Sequence, residues 1–243
     1  MKPLHRRAAA DAPPPARHAT RWGPLREAGP PALRADHATA FTLAHLEVPP
    51  GATVAEPGCG TGVLAIAAAR AGAARVVGTD LDPAALAAAH ANAAANGVRR
   101  RVLFCHGDLL APVAGPLDLI VALLPHKPAP RPIARRYHGG PDGTDLLRRA
   151  IAQAAERLVQ GGILLLYVNS ISNPRRVATT LAPAFTVSLC AEKRRPFTAA
   201  EFEALTPGMF AHLVAQRRRG EAEFWEDAAG PWFLARLWRA RRR

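Results

Sequence analysis

The stretch Glu56-Pro57-Gly58-Cys59-Gly60-Thr61-Gly62 sets glycine at every second position behind an acidic side chain. Without a Cβ, glycine turns tightly and lets a ligand approach the backbone, and here the stretch follows an apolar run and opens a helical one. Its spacing differs from the dinucleotide fingerprint, which has two residues between its second and third glycines. Asp80 follows Glu56 by 24 residues, the length of one strand–helix–strand crossover, and ends the run Val76-Val77-Gly78-Thr79. A carboxylate at that point can accept hydrogen bonds from both hydroxyls of a ribose. After the next apolar run comes His106-Gly107-Asp108, whose carboxylate is placed for the amino group of an adenine ring. These three landmarks fall in register, and Cys59, Leu81, Gly107, Leu109 and Leu123 beside them are further candidate binding residues. Cys59 is expected to be a small loop residue, because no basic partner accompanies it to lower a thiol pKa.

Together these residues resemble the class I S-adenosylmethionine-dependent methyltransferases, over about residues 50–190. The resemblance implies S-adenosylmethionine as cofactor. It places Glu56 near the methionine ammonium, Gly58, Gly60 and Gly62 where the backbone approaches the cofactor, Asp80 at the ribose and Asp108 at the adenine. A closer likeness lies in Asp118-Leu119-Ile120-Val121-Ala122-Leu123-Leu124-Pro125-His126, followed by Tyr137-His138-Gly139-Gly140-Pro141-Asp142-Gly143-Thr144-Asp145. This resembles the release-factor glutamine methyltransferase family, in which a strand ends in Asn-Pro-Pro-Tyr and a Gly-Gly-Pro-Asp-Gly loop precedes the next helix. The loop is matched almost completely. The four motif positions are instead Leu123, Leu124, Pro125 and His126.

In that family the motif Asn accepts a hydrogen bond from a planar amide or exocyclic amine. Leucine accepts none, so the resemblance implies a different nucleophile here. The expected acceptor is therefore a small molecule methylated at oxygen or nitrogen. An RNA or protein side-chain acceptor is the first alternative, and a non-catalytic cofactor-binding interaction module the second. His126 is the candidate base, since it lies just past the fourth strand and imidazole titrates near neutrality. Tyr137, His138 and Asn169 are secondary candidates for substrate contact, the first two ahead of the glycine-rich loop and the third at the end of the fifth strand.

The elements that must hold these groups alternate. Short apolar runs at 53–56, 75–79, 102–105, 117–122 and 162–168 are predicted strands, separated by predicted helices at 61–72, 83–95, 144–159 and 173–181. Such alternation gives an α/β fold of Rossmann-like methyltransferase type, a mostly parallel seven-stranded sheet with helices on both faces. Pro83 marks a helix start, Asn96-Gly97 a helix end, and Gly161-Gly162 the break before a strand. A helix over 35–46 precedes the core. A strand at 185–191 and another at 231–238 enclose a helical insertion with stretches at 198–205 and 207–219.

Residues 1–34, rich in Pro and Arg, are expected to form a mobile arm, and 35–243 the methyltransferase domain, with a cofactor-binding core at 50–190 and C-terminal strands with their insertion at 191–243. In a chain of 243 residues the net charge of +13 invites a nucleic-acid partner, yet lysine occurs only at positions 2, 127 and 193. The rest is arginine among many Ala, Gly and Pro residues, a composition that GC-rich codons alone produce, so nucleic acid is not the favoured partner. No apolar stretch approaches the length of a membrane span, and three scattered cysteines suggest neither zinc nor a disulfide framework. The expected location is cytoplasmic, without membrane or metal.

Overall fold

A computed structural model describes residues 14–30 and 34–243. Its central sheet follows the predicted alternation. The strands, in chain order after an N-terminal hairpin of β1 (Ala16–His18) and β2 (Leu25–Glu27), are β3 (Thr53–Pro57), β4 (Arg75–Asp80), β5 (Val102–His106), β6 (Leu117–Ala122), β7 (Leu158–Asn169), β8 (Phe185–Pro196), the short β9 (Trp225–Asp227) and β10 (Gly230–Arg242). They lie side by side in the order β5-β4-β3-β6-β7-β10-β8, with β9 paired to β10. Pairings among β3 to β7 are parallel, whereas β10 runs antiparallel to β7, β8 and β9.

Period-two alternation decides which helix meets which face. Leu119, Val121, Leu165 and Tyr167 point to a core shared with α1 (His37–His45), α2 (Val63–Arg70) and α3 (Pro83–Ala95). Their neighbours Ile120, Ala122, Leu164, Leu166 and Val168 point the other way, to α4 (Asp145–Arg157) and α5 (Pro174–Leu181). Local capping agrees: Asp82 accepts from the Ala84 N–H at the start of α3, with Pro83 in the first turn. Gly62 caps α2 at φ 80°, and a Cβ there would lie 2.6 Å from the Phe104 ring, so only glycine lets α2 approach the sheet. The insertion supplies α6 (Ala199–Glu203) and α7 (Met209–Arg218). Phe197, Phe202, Met209, Leu213, Phe224 and Phe233 make a small separate core beneath them.

Two differences from the sequence reading stand out. Gly161 and Gly162 lie inside β7, where the register with β6 shifts, and strand begins directly after α4 at Leu158. Residues 14–30 are docked, although their composition reads as an arm of little fixed structure. Asn92 of α3 and Asn96 at its C-terminal cap each bond backbone groups of this segment, at Ala28 and Arg26 respectively. Glu27 is fully buried, accepting from the Thr61 hydroxyl, from the Ala35 N–H at 2.8 Å and pairing with His18 at 2.7 Å. Residues 1–13 and 31–33 of the expected arm lie outside the described residues.

Candidate functional site

A cleft of about 1060 Å³ opens at the C-terminal ends of β3 to β7, where open α/β sheets bind ligands. Glu56, Gly58, Cys59, Gly60, Asp80, Leu81, Gly107, Asp108, Leu109 and Leu123 line it, as do His126, Tyr137 and Asn169. Two candidates are absent from its wall: Gly62 serves helix packing, and His138 sits in a backbone bridge with Lys127.

On the cofactor side, Asp80 uses both oxygens, one holding the glycine loop by accepting from the Gly60 N–H at 2.8 Å and the other holding the following turn by accepting from the Asp82 N–H at 2.9 Å. Glu56 is buried and accepts from the Ala65 N–H at 2.7 Å. Burial pushes its carboxyl well above the usual range, with Asp80 adding to the rise. A cation brought beside Glu56 would favour its charged form, which suits the ammonium of a methionine. Gly58, at φ 70°, leaves no room for a Cβ because Leu124 Cδ2 would lie 2.9 Å away. Leu109 is left-handed at φ 51° with its carbonyl accepting from Thr79 Oγ1 at 2.5 Å, a conformation that bulky residues adopt only under constraint. Asp108 pairs with Arg149, both about half exposed. Burial drives the Cys59 thiol far up, consistent with a packing residue and not a nucleophile. A buried carboxyl awaiting a cation, a loop with space only for glycine and a carboxylate beyond the second strand together fit S-adenosylmethionine.

On the acceptor side, the altered motif is held by backbone. His126 Nε2 accepts from the Asn169 N–H at 3.2 Å, which leaves Nδ1 to donate to the Leu124 carbonyl at 2.5 Å. The His126 carbonyl accepts from Ser172 Oγ at 2.6 Å. Gly139 N–H donates to the Lys127 carbonyl at 3.0 Å and Lys127 N–H to the Tyr137 carbonyl at 2.8 Å. A Cβ on Gly139 would sit 2.5 Å from His126 Cα, and one on Gly143 2.5 Å from the His126 carbonyl oxygen. The Gly-Gly-Pro-Asp-Gly loop is thus a clamp on residues 126–129. Asp142 anchors it through Thr144, Asn173 and Arg176.

This geometry opposes the expectation that His126 is a base poised near neutrality. Its lone pair is engaged by Asn169, and burial lowers its pKa to about 4. Between the unfolded value of 6.5 and that folded value, the unfolded chain binds the extra proton. Stability is therefore complete above pH 6.5 and falls by about 3 kcal/mol as the pH drops to 4. Denaturant titrations across this window are expected to show that loss in the parent protein and its absence in His126→Gln. Equal slopes would contradict the buried neutral imidazole.

Sequence reasoning did not single out Lys127, Arg195, Phe197, Phe202 or Phe233, all of which line the cleft. Only the lone lysine after the motif stood out locally. The other four come from the end of β8, the insertion that follows it and the last strand, which no local pattern directs to the cleft. Asn169, by contrast, is where the strand reading put it. Its Oδ1 is buried and has no hydrogen-bond partner.

Known proteins resemble this arrangement. Residues 36–124 match the model for ribosomal protein L11 methyltransferase. A protein of Methanocaldococcus jannaschii, provisionally named a protein N5-glutamine methyltransferase, is 32% identical over 151 residues, covering 59% of this chain and 76% of its own. The release factor glutamine methyltransferase of Deinococcus radiodurans is 39% identical over 159 residues, 61% of this chain but only 55% of that protein. A solved methyltransferase from Pyrococcus furiosus shares the fold at a TM-score of 0.59 and 16% identity, covering 89% of this chain and 88% of that one. With the strand order, the glycine loop and the paired acidic landmarks in one cleft, these likenesses establish that the chain belongs to the class I S-adenosylmethionine-dependent methyltransferases.

Proposed function

We propose that this chain methylates a nitrogen on a protein side chain. The observation that carries the reading is the unpartnered, buried Oδ1 of Asn169 in the wall of the cleft, one strand over from the position where Leu123 has lost its amide. A buried acceptor without a donor costs about 1–3 kcal/mol, a cost tolerated where a ligand supplies the donor. The relatives' names support a protein acceptor, and the small-molecule acceptor expected from the missing Asn gives way to it.

S-adenosylmethionine, when bound, supplies a methyl group already activated on sulfonium, so positioning contributes much of the rate. Glu56 would hold its ammonium, Asp80 its ribose hydroxyls, and Asp108 with Leu109 the adenine. Asn169 Oδ1 accepts a hydrogen bond from the incoming nitrogen and aims its lone pair; as the N–C bond forms and the S–C bond of the sulfonium breaks, the thioether departs and the nitrogen's surplus proton leaves to solvent. Leu123 and Leu124 keep water from the reacting atoms. His126, neutral and already bonded through both ring nitrogens, fixes the Asn169 backbone and takes no proton.

Some arginines are engaged within the fold. Arg236 bonds Glu192 and Glu223, Arg239 bonds Glu47, Arg219 bonds Glu221, and Arg217 lies over the Phe224 ring. The test uses methyl-labelled S-adenosylmethionine with separated protein, RNA and small-molecule fractions of cells lacking the gene. Label is expected in the protein fraction, recovered as an N-methylated amino acid. Label confined to either other fraction would contradict the proposal.

A further inference from the structure

Charged side chains of both signs line the cleft. Glu56, Asp80 and Asp108 surround the cofactor half, while Lys127 and Arg195 line the other. Lys127 directly follows His126, and its ammonium lies 4.9 Å from the Tyr137 ring centre and 5.4 Å from that of Phe202. Arg195 comes from the far side of the sheet, opposite Phe233 in the β8–β10 pairing, and its buried Nε has no hydrogen-bond partner. Among the described residues no carboxylate forms an ion pair with either cation. Asp36 and Glu201 act on Lys127 only through space, and Arg195 repels it.

Two cations drawn partly out of water beside one another, without a counter-charge in contact, oppose folding unless a ligand offsets them. Aromatic faces around Lys127 add attraction for the ammonium but leave its N–H donors unspent. A carboxylate satisfies both groups: guanidinium bonds it in a bidentate fork and ammonium takes a single strong charge-assisted bond. We propose that Lys127 and Arg195 form a carboxylate subsite for the acceptor, so that the methylated protein segment carries an acidic group near its target nitrogen. This rests on the methyl-transfer reading of the cleft. The aromatic residues Tyr137, Phe202 and Phe233 would then flank the apolar part of the same segment.

The cofactor's own methionine carboxylate is the other source of this chemistry, and the experiment separates the two. Full-length protein saturated with S-adenosylhomocysteine is titrated calorimetrically with N-acetylphenylalanine and, separately, with its uncharged amide. The acid is expected to bind at least tenfold more tightly than the amide and not to compete with S-adenosylhomocysteine. Lys127→Met and Arg195→Met should each weaken the acid tenfold or more at unchanged S-adenosylhomocysteine affinity, and Lys127→Arg should retain most of the binding. Equal binding of acid and amide, or no binding of either, would overturn the subsite. Competition with S-adenosylhomocysteine, or its weakened binding in the Met variants, would assign the cations to the cofactor and overturn it too. Failure of S-adenosylhomocysteine to bind the parent protein would remove the methyl-transfer reading itself, an outcome distinct from all of these.

Discussion

Asn169→Leu is expected to lower turnover on the proposed protein acceptor by roughly 10²-fold to 10³-fold while changing S-adenosylmethionine affinity less than twofold. The substitution keeps the branched four-atom outline of the side chain but removes the one buried side-chain acceptor in the cleft wall that, among the described residues, has no donor. Because that oxygen is unsatisfied in the folded chain, its removal should also raise stability by about 1 kcal/mol. The paired signature distinguishes a substrate contact from a structural amide, whose loss would destabilise. Leu123→Asn in the same background restores an acceptor at the family's motif position and is expected to recover part of the turnover. Steady-state kinetics and denaturant unfolding on the three variants decide the matter. Unchanged turnover together with lower stability would show that Asn169 serves only the fold.

Asp80→Ala is expected to raise the dissociation constant for S-adenosylmethionine about 10²-fold, or about 2.7 kcal/mol. The effect should exceed that of one lost ribose contact, since the carboxylate also fixes the glycine loop through the Gly60 N–H and the following turn through the Asp82 N–H. Asp80→Asn keeps one accepting oxygen and should lose closer to tenfold. Calorimetry with S-adenosylhomocysteine measures both variants without an acceptor. Affinity unaltered in the Ala variant would exclude Asp80 from the cofactor site.

Local patterns in the chain were sufficient for β3 to β8 and β10, for the helices and for the glycine-rich turn after Glu56. Apolar runs of strand length, Asp82-Pro83 at a helix start and the glycines after Glu56 act through their own backbone or near neighbours, so their meaning survives in one dimension. The N-terminal hairpin was not legible, because its order comes from Asn92 and Asn96, residues 64 and 70 positions away, and not from its own Pro- and Arg-rich composition. The acceptor half shows the same limit. Position in the chain suggested His126 as a base, but the hydrogen bond from the backbone of Asn169, 43 residues on, occupies its lone pair and helps define a neutral imidazole. Lys127 and Arg195 share a wall only because the last strand enters the sheet antiparallel between β7 and β8 and brings the insertion over the cleft. The sequence by itself thus determined the elements and the glycine cradle, which depend on backbone conformation and periodicity. Tertiary structure decided protonation, unsatisfied donors and acceptors, and the meeting of Lys127 with Arg195 in the cleft, because each depends on burial and on partners from distant strands.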